Sequence, residues 1–412
     1  MNYLVSKKDK IIEGKINLPA SKSISNRVLI INALSYNPYP VLNLSDSDDT
    51  KVLFKALFSN DAVFDIGHAG TAMRFLTAFL SKIVGEWTIT GSERMKQRPI
   101  GILADALNEL GAKIEYLENE GFPPLKIFGS HLKGKTLELD GSISSQYISA
   151  LLMIAPTIEN GLTLELKGEI TSRSYIELTL KLMQHFGIQH KWFQSTISIP
   201  EQKYLPMEYT VEADWSGASY WYQIAAMTEK CEIFLENLKL ESIQGDAKIS
   251  EWFEKFGVKS EQHSEGVLIT KKEQKLPDKF NLDFIENPDM AQTFACLCVA
   301  KKVPFHFTGL KTLKIKETDR ITALQNELSK IGAQLTEPKH GELAWNGAFE
   351  ESKYKGIPEI QTYHDHRMAL AFAPMALAGY TLKIENPAVV SKSYPAFWED
   401  LAKVGFEISN AD

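Results

Sequence analysis

Two kinds of helical pattern alternate along the chain. One is apolar nearly all round, at 24–34, 72–80, 148–155, 218–227, 290–300 and 368–378, and a helix with no polar face must be buried on every side. The other is amphipathic and stops at glycine: 100–110 closes at Gly111, 176–186 at Gly187 and 249–256 at Gly257, with further copies closing at Gly332 and Gly405. Ile100, Leu103, Leu107 and Leu110 share one face, which predicts a helix lying on a sheet and ended by a left-handed glycine. A weaker copy, 49–59, runs into Asn60-Asp61 instead, and asparagine is expected to take the left-handed position there.

Alternating segments such as Leu162/Leu164/Leu166 and Val303/Phe305/Phe307 follow the apolar helices and read as strands with one buried face. Strand-like sequence also precedes them. The unit is therefore strand, buried helix, strand, amphipathic helix and further strand, recurring roughly every 70 residues. Six such units make two threes. The pattern predicts an α/β protein of two domains with helices enclosed by their sheets, divided near the polar stretch 200–214. A chain of 412 residues is long enough for two cores.

Composition narrows the choices. With 44% hydrophobic and 24% charged residues the chain reads as soluble and globular, and no apolar run reaches the length of a membrane span. The first ten residues lack an apolar signal core, so a cytoplasmic location is expected. Of the three cysteines, Cys296 and Cys298 lie in an apolar segment and are expected to be buried thiols, not a disulfide or metal site. A formal charge of −7 argues against nucleic acid as partner. Any anion site must be local.

Such a site is written at the helix starts. The residues leading into the buried helices are SKSISNR, GHAGTAMR, SSQ, DWSGAS, NPDMAQ and DHRM, which bring in Arg27, Arg74 and Arg367. The amphipathic helices begin after 94–99, 172–175, 316–320 and 391–393, again rich in Lys, Arg and Ser. Any one of these alone is an ordinary cap with solvated charges. Together, in an acidic protein, they point to a small polyanion bearing phosphate and carboxylate, since helix N-termini and guanidinium groups both favour such groups. Asp289 and Glu317 are carboxylates set among cations, which lower their pKa and suit them to proton transfer; a structural salt bridge is the alternative for each. His364-Asp365-His366 has a metal-ligand spacing, but Arg367 and the helix start oppose a cation, so His366 reads as a polar or acid/base group. No G-x-G-x-x-G or G-x-S-x-G occurs, which removes the anchors for a dinucleotide fold or a serine hydrolase.

LPASKSISNR at 18–27, AGTAMR at 69–74, RMKQRPIG at 94–101, SSQ at 144–146, KETDR at 316–320 and DHRMA at 365–369 closely resemble the 5-enolpyruvylshikimate-3-phosphate synthase (3-phosphoshikimate 1-carboxyvinyltransferase) family, in family order and over nearly the whole chain. The resemblance implies the two-domain enolpyruvyl transferase fold, each domain built from three βαβαββ repeats, divided as 20–212 and 1–19 plus 213–412 with the active site in the cleft between them. It also implies transfer of the enolpyruvyl group of phosphoenolpyruvate to the 5-hydroxyl of shikimate 3-phosphate, releasing phosphate, with no metal and no organic cofactor. The implied shikimate 3-phosphate contacts are Ser23, Arg27, Ser144, Ser145, Ser172, Tyr175, Asp289 and Lys316. Those implied for phosphoenolpyruvate are Lys22, Gly70, Arg94, Gln146, Arg320, Arg367 and Lys392. Asp289 is implied as base for the 5-hydroxyl and Glu317 as proton carrier at the methylene carbon, with Lys22 and His366 assisting. The expected partners are these two substrates, with no nucleic acid, membrane or second subunit.

The chain departs from the family pattern at Ala20 for Gly, His68 for Asn, Phe75 for Pro and Thr312 for Asn. Phe75 bears on how the helix presents Gly70, and His68 and Thr312 on local hydrogen bonds. Gly70 is retained, so sensitivity to the phosphoenolpyruvate mimic glyphosate is expected. Three alternatives stand beside this reading. UDP-N-acetylglucosamine enolpyruvyl transferase shares the fold, but that family usually carries a reactive Cys in the stretch matching 94–99, where this chain has none. A non-catalytic binder of phosphorylated metabolites has no need of Asp289 and Glu317. A metal-dependent hydrolase would use His364 and His366.

Overall fold

The computed structural model describes residues 1–350 and 356–411. They form two compact units, Ala20–Val211 and Met1–Pro19 with Glu212–Asp412. The inner helices follow the apolar pattern. In Ser145–Ile154 every residue but Gln146 is buried, and in Trp215–Met227 every residue but Ser216. Both exceptions are polar and sit in the first turn. Gly70–Lys82, Ala291–Ala300 and His366–Phe372 are almost wholly buried too. Within each unit the inner helices pack on one another, which satisfies surfaces that have no polar side.

The sheets repeat one order. Val63–Asp65 pairs parallel with Gly85–Thr90, which pairs antiparallel with Leu125–Gly129, itself antiparallel to Lys113–Tyr116. The same parallel, antiparallel, antiparallel series runs through Thr136–Asp140, Leu162–Lys167, Thr196–Ile199 and Lys191–Phe193. In the other unit it runs through Ile11–Asn17, Lys230–Glu236, Gly266–Lys271 and Val258–His263. It recurs in Glu359–Ile360, Leu382–Glu385, Asn2–Ser6 and Glu407–Ala411. A fifth sheet, Phe280–Asp283, Phe305–Thr308 and Leu343–Trp345, has isolated bridges at Ala333 and Thr336 where its fourth strand would lie. The sixth is reduced to Val41–Leu42 beside Tyr209–Thr210.

The amphipathic helices stop where glycine allows. Gly111, Gly187, Gly257, Gly332 and Gly405 all take φ between 78° and 105°, the left-handed region that costs other residues about 1–2 kcal/mol. The first copy differs from expectation. Asp48–Phe58 ends at Ser59 in extended backbone, and Asn60 is not left-handed. Ser59 instead accepts the Asp61 N–H at 3.0 Å through its hydroxyl, so a local side-chain turn replaces the left-handed stop. The 368–378 pattern also divides: the α-helix covers His366–Phe372, and Ala373–Ala378 continues as 3₁₀. Pro374 has no N–H to give the α ladder. The third departure is the 249–256 segment, where a 3₁₀ turn Gly245–Lys248 leads into a short helix Ile249–Glu254. All three cysteines are buried. Among the described residues, no helix is long and apolar enough to cross a membrane.

Candidate functional site

In the unit Ala20–Val211 the helix starts carry neutral caps. Ser21 Oγ accepts from Ile24 N–H ahead of Lys22–Ser35, and Ser144 Oγ accepts from Gln146 N–H ahead of Ser145–Ile154. Both caps are neutral hydroxyls, and a helix start so capped favours an anion nearby. Ser23 lies in the first turn beside Lys22, whose Nζ is 3.7 Å from Asp49 Oδ2. Ser145 is buried, and Gln146 Nε2 donates to Thr71 Oγ1 at 3.4 Å. Ser172 caps Arg173–His185 from a left-handed conformation, φ 53°, and Tyr175 follows on that helix.

Arg27 is the most telling group here, at only 3% exposure. Its Nε donates to Thr179 Oγ1 at 2.7 Å, Nη1 to the Ser23 carbonyl at 2.9 Å, and Nη2 to Ser149 Oγ at 3.1 Å and the Tyr175 carbonyl at 3.4 Å. The Phe75 ring centroid is 5.4 Å from the guanidinium. These contacts are all with neutral groups. Burial accordingly lowers the Arg27 pKa to about 10, opposed by Tyr175. A buried cation without a carboxylate is costly, and an anionic ligand offsets that cost.

Gly70 opens the helix Gly70–Lys82, and a Cβ there would fall 2.5 Å from Arg98 Nη1. Glycine thus lets a guanidinium lie against this helix start. That guanidinium belongs to Arg98, which is buried, whereas Arg94 is exposed on the short helix Glu93–Lys96 and donates to Gln97 Oε1 at 3.4 Å. Arg74 reaches the carbonyls of Gly70 at 3.0 Å and Pro99 at 3.3 Å, tying the 95–99 segment to this helix. His68 shares a 2.9 Å hydrogen bond with Ser92.

In the other unit the predicted residues join one ionic network. Arg320 opens the helix Arg320–Ser329, behind an Asp319 cap, and is 2% exposed. Its Nε lies 2.6 Å from Asp365 Oδ2, Nη1 2.7 Å from Asp289 Oδ1, and Nη2 3.0 Å from Glu317 Oε2. Lys316 Nζ approaches Asp289 Oδ1 at 3.4 Å, and Arg367 Nη2 approaches Asp289 Oδ2 at 3.4 Å. Lys392 Nζ closes on Glu317 Oε1. Arg367 also reaches Tyr220 and Ser216 on the helix Trp215–Met227. Four cations thus surround three carboxylates.

The electrostatics follow from this geometry. Burial alone would raise the Asp289 carboxyl, but Lys316, Arg367 and Arg320 outweigh it and hold its pKa well below the usual range. For Arg320 burial acts downward, yet Asp365, Glu317 and Asp289 together push its pKa above the ordinary value. Burial lifts Tyr220 to about 12, against the pull of Arg367. His366 is buried at the start of His366–Phe372, with Nδ1 3.6 Å from Asp365 Oδ1. His364 is exposed, and Asp365 between the two is committed to Arg320 and to capping the Arg367 N–H at 3.0 Å. Among the described residues, no group of three or more His, Cys, Asp and Glu side chains is placed to hold a metal ion.

Sequence reasoning overlooked Asp49, Ser149, Thr179, Arg98 and the anchoring role of Asp365. Ser149 and Thr179 do carry a signal, as polar residues on apolar helical faces, but their partner Arg27 is 122 and 152 residues away.

The sequence model of EPSP synthase (3-phosphoshikimate 1-carboxyvinyltransferase) matches residues 6–59 and 53–401. A 3-phosphoshikimate 1-carboxyvinyltransferase of Bacteroides fragilis is 53% identical over 409 residues, 99% of both chains. One of Vibrio atlanticus is 38% identical, over 95% of this chain and 96% of its own. Among solved structures, an EPSP synthase of Acinetobacter baumannii superposes with a TM-score of 0.79 at 22% identity, covering 99% of this chain and 100% of that one. The enolpyruvyl transferase NikO of Streptomyces tendae gives 0.75 at 15% identity, covering 100% of this chain and 99% of its own. These two likenesses speak to the fold, an α/β enolpyruvyl transferase fold. The chain belongs to the EPSP synthase family.

Proposed function

We propose that the protein transfers the enolpyruvyl group of phosphoenolpyruvate to the 5-hydroxyl of shikimate 3-phosphate, releasing phosphate and 5-enolpyruvylshikimate 3-phosphate. The observation that carries this reading is the pairing of Asp289 and Glu317 with Lys316, Arg320, Arg367 and Lys392. A simple binder of phosphorylated metabolites needs the cations but not two carboxylates set among them.

Adding an alcohol to an enol phosphate removes one proton at oxygen and delivers one to carbon. Asp289 takes the hydroxyl proton as the oxygen bonds to C2 of the enol, and Glu317 protonates the methylene carbon, giving a tetrahedral intermediate. The Glu317 carboxylate then takes a proton from the new methyl group as the C2–O bond to phosphate breaks, which restores the double bond and expels phosphate. Lys392, hydrogen-bonded to Glu317, stands ready to supply its proton, with Lys22 and His366 assisting. Arg320, Arg367, Lys22, Gln146, Arg94 and Lys392 take the phosphate and carboxylate of phosphoenolpyruvate, beside Gly70. Ser23, Arg27, Ser144, Ser145, Ser172, Tyr175 and Lys316 take shikimate 3-phosphate. Paired with three cations, Asp289 is a weak base; as substrate anions draw those cations away its proton affinity rises toward what the reaction needs.

Mass analysis of the product from shikimate 3-phosphate plus phosphoenolpyruvate tests the reading. The enol ether, with the 3-phosphate retained, is expected; free pyruvate or dephosphorylated shikimate instead would contradict it. Glyphosate is expected to inhibit, because Gly70 lets the Arg98 guanidinium lie against the helix start, and full turnover at saturating glyphosate would count against the phosphoenolpyruvate assignment.

A further inference from the structure

Asp365, His366 and Arg367 are delivered by an unusual turn. The Asp365 N–H donates to the Thr362 carbonyl at 2.8 Å, and the two residues between, Tyr363 and His364, both have positive φ, 52° and 55°. A tight turn with both central residues left-handed normally uses Asn and Gly, because a Cβ there meets the backbone. Neither residue here is glycine, so the surroundings must hold the turn.

The hold comes from the far end of the helix that Arg320 begins. Glu327 is fully buried; its Oε1 accepts from the Tyr363 hydroxyl at 2.7 Å, and its Oε2 accepts from the Gln361 N–H at 2.9 Å and from Lys330 Nζ at 2.6 Å. Lys330 also donates to the Glu359 carbonyl at 2.7 Å. Helix Arg320–Ser329 therefore grips the segment twice, through Glu327 before the strained turn and through Arg320 on Asp365 after it. The strained pair lies between two anchors on one rigid element, so its conformation sets where Arg367 and His366 begin their helix.

We propose that Glu327 and Tyr363 are positioning residues that hold the left-handed turn Tyr363-His364 and thereby aim Arg367 and His366 at phosphoenolpyruvate. This rests on the functional reading above for the ligand, but not for the geometry. Tyr363→Phe deletes one oxygen and leaves Glu327 its bonds to Lys330 and Gln361. In that variant kcat/KM for phosphoenolpyruvate is expected to fall about tenfold, the scale of one hydrogen bond to a charged group, while KM for shikimate 3-phosphate stays within about twofold. Adding His364→Gly, which removes one left-handed penalty, is expected to recover part of the loss. Hydrogen exchange over residues 361–368 should speed up in Tyr363→Phe and not at the helix Lys22–Ser35. Equal losses for both substrates, an unchanged kcat/KM, or no recovery on adding His364→Gly would overturn the proposal. If the wild-type protein releases no phosphate, the functional reading fails and exchange alone decides: unchanged exchange at 361–368 sinks the positioning role, and locally faster exchange upholds it.

Discussion

Arg320 and Asp365 form the most deeply buried ion pair of the network, at 2% and 0% exposure. Asp365→Asn takes the charged partner from Arg320 Nε but leaves Asp289 and Glu317 on its other nitrogens, so it is expected to cost about 1.5–3 kcal/mol in urea denaturation, the scale of a hydrogen bond to a charged group. A loss under about 1 kcal/mol would mean that Asp289 and Glu317 suffice to hold Arg320. Asp289→Asn and Glu317→Gln belong to the chemistry instead: kcat should fall by about 100-fold or more, with KM changed far less. Large affinity losses at unchanged turnover would contradict their roles. The depressed Asp289 pKa also fixes a sign. The unfolded chain binds this proton near pH 3.9 and the folded chain only in stronger acid, so the stability Asp289 contributes is full above about pH 4 and lost as pH falls toward its folded value. The stability gap between wild type and Asp289→Asn should therefore shrink below about pH 4. At this scale the charged groups were legible, because Lys, Arg, Asp and Glu at helix starts stand out against an apolar pattern. Thr179, Ser149 and Glu327 were not, because each is one polar position inside an otherwise ordinary helix whose partner lies in another repeat or beyond a loop.

Helices place these groups, and the period of the apolar residues located the helices well. The differences arose where one residue overrides the period. Pro374 ends an α ladder that the hydrophobic pattern continues through, and Ser59 stops a helix by its own hydroxyl where Asn60 offered a left-handed exit. Glycine has a functional meaning at Gly70 beyond any turn. Arg98 occupies the space a side chain would take, so Gly70→Ala must push the guanidinium off the helix start. Steady-state kinetics should show a raised KM for phosphoenolpyruvate and a smaller change for shikimate 3-phosphate. An unchanged phosphoenolpyruvate KM would show that Arg98 moves without consequence. Arg98 itself was hidden in RMKQRPIG, where Arg94 and Arg98 look alike and only burial tells them apart.

For the whole molecule, six apolar helices foretold the repeat, while strand pairing needed the structure. Ile11–Asn17 pairs with Lys230–Glu236 across more than half the chain, and Asn2–Ser6 lies between Leu382–Glu385 and Glu407–Ala411; alternation shows that a strand exists, not which partner it meets. The reduced sheet at Val41–Leu42 was likewise illegible, since two residues carry no period. What the repeats achieve is to stack helix starts from successive units, so that Arg320, Arg367 and Ser216, far apart in sequence, share one network. Such a network is proposed to perform enolpyruvyl transfer to shikimate 3-phosphate without a metal. Phosphate release from phosphoenolpyruvate should be followed with shikimate 3-phosphate or UDP-N-acetylglucosamine as acceptor, each with and without EDTA. Release is expected with shikimate 3-phosphate alone, undiminished by the chelator; release with the other acceptor only, or loss of activity to EDTA, would overturn the proposed reaction.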